Sequence, residues 1–142
     1  MPARRGPRDE GNAPLELVVL APVVFLLIAF VVAAGRTSIA QGSVSAAARD
    51  AARQASISLT PGRAQTAALS SAMTALSQDG LDCRPVVTVD TSGFGIPVGQ
   101  PATVSATVTC TVSLSDLLVP GLPGSRTLTA TFTSPLDPFR ER

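Results

Sequence analysis

The sequence has no histidine, no tryptophan and no tyrosine, and it carries two cysteines. Each shortage removes a class of function. Without histidine the chain lacks the commonest general base and metal ligand. Two cysteines without a histidine are too few for a cysteine-rich zinc site. Charge is also scarce: 15% of the 142 residues are charged, and the formal net charge is +1. No block of like charge lies beyond the first ten residues, so nothing in the composition speaks for nucleic-acid binding. The acids outside the N-terminal part are scattered singly, and no glycine-rich loop is followed by a lysine that could cradle phosphate. The expectation is a protein that is not an enzyme, with no catalytic residues, metal, cofactor or small-molecule substrate.

What the chain has in quantity is apolar surface, 45% of its residues, and much of it lies in one run. From Leu17 to Gly35 there is no charged side chain. The run is Leu- and Val-rich, hydrophobic all round, and about 20 residues long, roughly what a helix needs to cross a bilayer. Pro22 sits in its first third and can kink a helix, although membrane helices tolerate proline. Residues 1–11, MPARRGPRDEG, form a short leader in which Arg4, Arg5 and Arg8 outnumber Asp9 and Glu10. A basic flank before an apolar run favours a cytoplasmic N-terminus. Residues 12–35 therefore read as a single-pass cell-membrane helix, with the C-terminal domain outside the cytoplasm.

Three readings of this N-terminus compete. One is a plain signal anchor with Glu16 at the water interface. Another is a cleavable secretory signal, with Ser38-Ile39-Ala40 offering a small-x-small site for release of a secreted binding domain after Ala40. The apolar run is long for that purpose, and Arg36 interrupts the approach. In the third, Gly11 followed five residues later by Glu16, opening into an apolar helix, resembles the type IV prepilin processing site. That resemblance implies cleavage between Gly11 and Asn12 by a prepilin peptidase, leaving Glu16 as the fifth residue of the mature chain. It also implies that Glu16 pairs with the free amino terminus of a neighbouring subunit and sets the packing register. An acid in apolar surroundings has to find a partner or lose its charge.

Beyond Gly35-Arg36, residues 36–60 read as a helical stalk. Ala47, Ala48, Ala51, Ala52 and Ala55 are strong helix formers, and with Val44 they make a small-residue stripe at i, i+3, i+4 spacing. Such a stripe permits close helix approach. It can face the chain's own domain or neighbouring subunits. Gly35 and Gly42 weaken the junction and leave room for a hinge. Thr60-Pro61-Gly62 reads as the end of this helix.

Taken together, GNAPLELVVLAP, then GR, then AAARDAARQAS, resemble the TadE-like proteins of the tight-adherence (Flp) pilus system. The resemblance rests on Gly11, Glu16, Pro22, Gly35-Arg36 and the helix box Ala47-Ala48-Arg49-Asp50-Ala51-Ala52-Arg53. It covers roughly the first 60 residues. Leu17 departs from the family, which often has Phe after the acid. The resemblance implies a minor pilin or pseudopilin whose partners are the membrane, the prepilin peptidase and other pilin subunits.

Residues 61–142 read as a small helix plus sheet. Ala64 to Asp79 is a helix candidate. The period then changes from 3.6 to 2, with strands expected at Pro85–Asp90, at Ala102–Ser113 and around Leu128, Ala130 and Phe132. Placing Cys83 opposite Cys110 in an antiparallel pair sets Pro85 against Val108, Val87 against Ala106 and Val89 against Val104. All fall on one face, as a buried side requires. The expectation is a Cys83–Cys110 disulfide, two buried free thiols being the alternative. Leu117, Leu118, Val119 and Leu122 form an apolar loop that either folds onto the sheet or presents a contact patch. The fold class is α+β: a long N-terminal transmembrane helix continuing outside the membrane, a short second helix and a small three-stranded antiparallel sheet, a pilin-like arrangement.

Overall fold

The computed structural model describes residues 13–117 and 123–139, with side chains described from Leu17 onward. Two helices lie on one face of a three-stranded antiparallel sheet. α1 spans Ala13–Ser56 and α2 Pro61–Gln78. β1 (Val86–Asp90), β2 (Ala102–Ser113) and β3 (Ser125–Leu136) pair in the order β1-β2-β3, with the short helix α3 (Leu114–Leu117) between the last two.

α1 is unbroken over 44 residues, a length of about 66 Å at 1.5 Å per residue. It runs through Pro22, Gly35 and Gly42 without interruption. The hinge for which the glycines left room is absent from the helix. Around Gly42, hydroxyls keep the backbone satisfied as the helix turns from apolar to polar. Thr37 Oγ1 donates to Ala33 O at 2.9 Å and Ser45 Oγ to Gln41 O at 2.8 Å.

The small-residue stripe meets the chain's own domain. Val44, Ala47, Ala48, Ala51, Ala52 and Ala55 are fully buried, in one core with Ala64, Ala68, Ala72 and Leu76 of α2. Alanines at every fourth position of α2 give the second helix a matching small surface, so the two approach closely. Below them lies the inner face of the sheet, where Val104, Ala106, Val108, Cys110 and Val112 are buried. Serines and threonines alternate with them on the outer face, as a half-buried antiparallel sheet requires. Three cross-strand hydroxyl pairs line that face: Thr107–Thr131 at 2.8 Å, and Thr109–Thr129 and Thr111–Thr127 at 3.3 Å each.

Two expectations are corrected. Thr60-Pro61-Gly62 does not end the first helix, which stops at Ser56; it starts the second. Thr60 is the N-cap, its side chain accepting from the Arg63 N–H at 3.4 Å, and Pro61 takes the first helical position. Proline is favoured there because its missing N–H is one the helix would leave unpaired. The strand register is also shifted. Val87 lies opposite Val108 and Val89 opposite Ala106, two residues from the expected pairing. A shift of two keeps every side chain on its face, so the burial pattern alone could not expose it. The disulfide exists, with Cα atoms 5.9 Å apart, but Cys83 precedes β1 and reaches Cys110 from outside the ladder. Pro85, which cannot donate to a ladder, marks that boundary.

Candidate functional site

The residues singled out in the sequence do not converge on one site. Gly11 and Asn12 lie outside the described residues. Glu16 lies in the N-terminal part of α1, with its side chain outside what is described. Pro22 is exposed within the apolar half of α1. Arg49 and Arg53 sit one turn apart on the outer, solvent-facing side of that helix, where Arg49 Nε donates to Ser45 O at 3.4 Å. Cys83 and Cys110 are joined and packed against the core. Leu117 is buried on its own domain, whereas Leu118, Val119 and Leu122 lie outside the described residues.

The dominant surface is the N-terminal half of α1. Its most apolar 18-residue window has a mean hydropathy of 3.1 and is wholly unburied. Leu17, Phe25, Leu26 and Phe30 are each about 70% exposed (68, 71, 71 and 72%). By length and composition this helix can cross a membrane. Water is a poor solvent for such a surface, since each fully buried Leu, Val or Phe is worth about 1.5–3 kcal/mol.

The head offers little chemistry. Among the described residues, no group of three His, Cys, Asp or Glu side chains could hold a metal. An open cleft of about 680 Å³ lies at the end of the domain farthest from the apolar run, lined by Ile57, Leu59, Leu136 and Phe139. One acid lines it, Asp137, whose carboxylate accepts the Phe139 N–H at 2.8 Å. Among the described residues, the one acid with a shifted pKa is Asp90. Its carboxylate accepts the Ser92 N–H at 3.0 Å, and hydrogen bonds from the Ser92 backbone and side chain hold its pKa below the ordinary value of 3.8. The contact closes the turn into the short 3-10 segment Ser92–Gly95.

Sequence reasoning missed two glutamines. Gln65 of α2 spans the outer edge of β1, its Nε2 donating to Val87 O at 2.7 Å and its Oε1 accepting from Val89 N at 3.1 Å. The side-chain amide does what a fourth strand would do. Gln41 of α1 donates to Thr129 O on β3 at 3.2 Å. All three bonds join residues far apart in the chain, and nothing local to either glutamine announces them.

One apolar helix, long enough to cross a membrane, runs directly into a compact α+β head. Residues 11–53 match the family model described as TadE-like protein. Over these residues the chain is similar to that family, in agreement with the resemblance carried by Gly11, Glu16, Pro22, Gly35-Arg36 and the arginine box. No curated protein and no solved structure matches the chain.

Proposed function

We propose that the protein is a minor pilin or pseudopilin of a tight-adherence pilus system. In this reading a prepilin peptidase cleaves after Gly11. The mature chain begins at Asn12, and its apolar helix packs among those of other subunits with Glu16 setting register. The head lies outside the cytoplasm, where an oxidising environment maintains Cys83–Cys110. The observation that carries the proposal is the wholly exposed apolar half of α1, beginning directly after the Gly11…Glu16 spacing inside the TadE-like segment.

Release of a secreted domain after Ala40 fits poorly with the burial pattern. Ala40 is 2% exposed, lies inside an uninterrupted helix and belongs to the core of the head. A plain anchored protein that never joins a filament is the remaining competitor.

The deciding experiment is the intact mass and N-terminal sequence of the chain isolated from its own membranes. A start at Asn12 is the expected result. Retention of MPARRGPRDEG overturns the processing and leaves a plain anchor, whereas a start at Gln41 overturns the anchor as well.

A further inference from the structure

The end of the head nearest the apolar run is placed by the helix that carries it. Glu16 and Arg36 bracket the uncharged run, and both lie in α1. The helix between them advances about 30 Å at 1.5 Å per residue, the thickness of a bilayer's hydrocarbon core. Arg36 therefore falls at the boundary of that core. Ala40, one turn further on, is already 2% exposed within the core of the head. One turn of unbroken helix rises about 5.4 Å, and a headgroup layer is only slightly thicker, roughly 5–7 Å on each side. A tilted helix would bring the head closer still. The base of the head is thus held among the headgroups. α2 runs back toward this end and stops at Gln78, with Asp79 as its C-cap, and β2 leads into α3 there. Between them lies a cavity of about 150 Å³, lined by Arg36, Ile39 and Ser43 of α1, Asp79 and Leu81 after α2, and Asp116 of α3. Arg36, Asp79 and Asp116 are exposed. Ile39 is 71% exposed although it lies beyond the charged boundary of the run. The C-terminal end of α2 adds partial negative charge, and its last turn holds no basic residue.

We propose that this cavity seats the headgroup of a phospholipid bearing a primary ammonium, so that the base of the head is a lipid-binding surface. The proposal rests on the anchored reading above. The Arg36 guanidinium takes the lipid phosphate through charge-assisted bonds. The Asp79 and Asp116 carboxylates accept from the ammonium, which has three N–H donors as a lysine has. Ile39 lies against the glycerol end of the acyl chains, which accounts for an apolar side chain left bare at that level. The charges choose among headgroups. One cation stands against two carboxylates and a helix C-terminus, so the cavity is negative overall and disfavours a headgroup whose only charge is its phosphate. A choline headgroup is zwitterionic, but its quaternary ammonium has no N–H to offer the carboxylates. Depth chooses a lipid over a free solute, because the cavity opens into the layer where headgroups are the surrounding medium.

The test reconstitutes the full-length protein into bilayers holding phosphatidylethanolamine, phosphatidylcholine and phosphatidylglycerol in equal parts. The protein is then released in mild detergent, and the lipids that stay bound are identified by native mass spectrometry. The ethanolamine lipid should be retained over the choline lipid by about tenfold, the scale of one charge-assisted hydrogen bond that choline cannot make. Asp79→Asn combined with Asp116→Asn should bring that ratio close to one, and Asp116→Asn alone serves if the double variant does not fold. Asp50→Asn, at an exposed position on the outer side of α1, should leave the ratio unchanged. Equal retention of the three lipids overturns the proposal, and so does a preference for phosphatidylglycerol. Depth is read separately. Both native cysteines are bonded to each other, so a cysteine introduced as Asp82→Cys or Leu59→Cys can be labelled alone with a fluorophore. A nitroxide on the lipid headgroup should quench the label at position 82, beside the cavity, and leave the one at position 59, at the far end of the head, bright. Equal brightness at the two positions overturns the placement of the base. The membrane reading has its own control in alkaline extraction. A chain that resists extraction yet shows no lipid preference defeats this proposal alone, whereas a chain that is extracted defeats the anchored reading and this proposal with it.

Discussion

The two halves of α1 are one helix with two unrelated reasons to exist. From Leu17 to Gly35 every large side chain is exposed, and the helix is held by backbone bonds that an apolar solvent would enforce. From Ala40 to Ser56 the buried face is mostly alanine, and the helix is held by α2 and the sheet. Bulk on one half and smallness on the other make the first suited to lipid or neighbouring helices and the second to packing within the head. Helical periodicity alone does not distinguish them; side-chain size does.

The strongest way to break this contrast is a charge on either half. Ala51 is 0% exposed, so Ala51→Asp buries an unpaired carboxylate and should destabilise the head by about 3–5 kcal/mol, read as loss of cooperative unfolding, while membrane association persists. Val24→Asp should do the reverse. It leaves the head intact and opposes insertion by about 2.5–3.5 kcal/mol, measured by the fraction of chain resisting alkaline extraction. If both substitutions unfold the head, the division of the helix is wrong.

Next in size is the disulfide. Its cysteines are 27 positions apart, and replacing both with alanine should lower head stability by roughly 3–4 kcal/mol in the chain-entropy model, followed by denaturant unfolding. A comparable loss is expected at Gly93, where an added Cβ would run into the Thr103 carbonyl. Gly93→Ala should cost about 2–4 kcal/mol, with the loss confined to the junction of the 3-10 turn and β2.

Smaller again is Gln65→Ala, which frees two backbone groups on the β1 edge and should lower stability by about 1–2 kcal/mol. The same variant leaves the β1 edge unpaired, so aggregation of the full-length protein should rise.

The smallest effect is at exposed Asp90. Its pKa is lowered in the fold by its bonds to Ser92, so its contribution is fully present above the ordinary carboxylate value of 3.8 and fades as pH falls through the lowered one. Asp90→Asn should flatten that acid limb of the stability curve and leave neutral-pH unfolding nearly unchanged.

Element types were largely legible in the chain, because Val/Thr alternation and alanine periodicity have different periods. The boundaries were less so. Thr60-Pro61 carries the signature of a helix start and of a break alike, and only the position of Ser56 separates the two. The β1–β2 register escaped because a two-residue slip preserves inward and outward faces, and because a disulfide need not join directly opposed residues. The direction of the alanine stripe was undecidable from the residues themselves, since small side chains suit a neighbour's helix as well as α2. The edge caps by Gln41 and Gln65 were invisible for a simpler reason: a glutamine on a helix surface is ordinary until the strand beside it is known.

One feature of α1 reaches beyond packing. With no break between the apolar run and the core of the head, the helix is a drive shaft. Whatever turns or lifts the segment below Gly35 turns or lifts the sheet by the same amount. A slide of one helical turn, about 5.4 Å, would carry the whole β3 edge that distance from the membrane surface, and a rotation would swing it toward a new neighbour. The direction in which the head faces is set by how the helix is held at the other end.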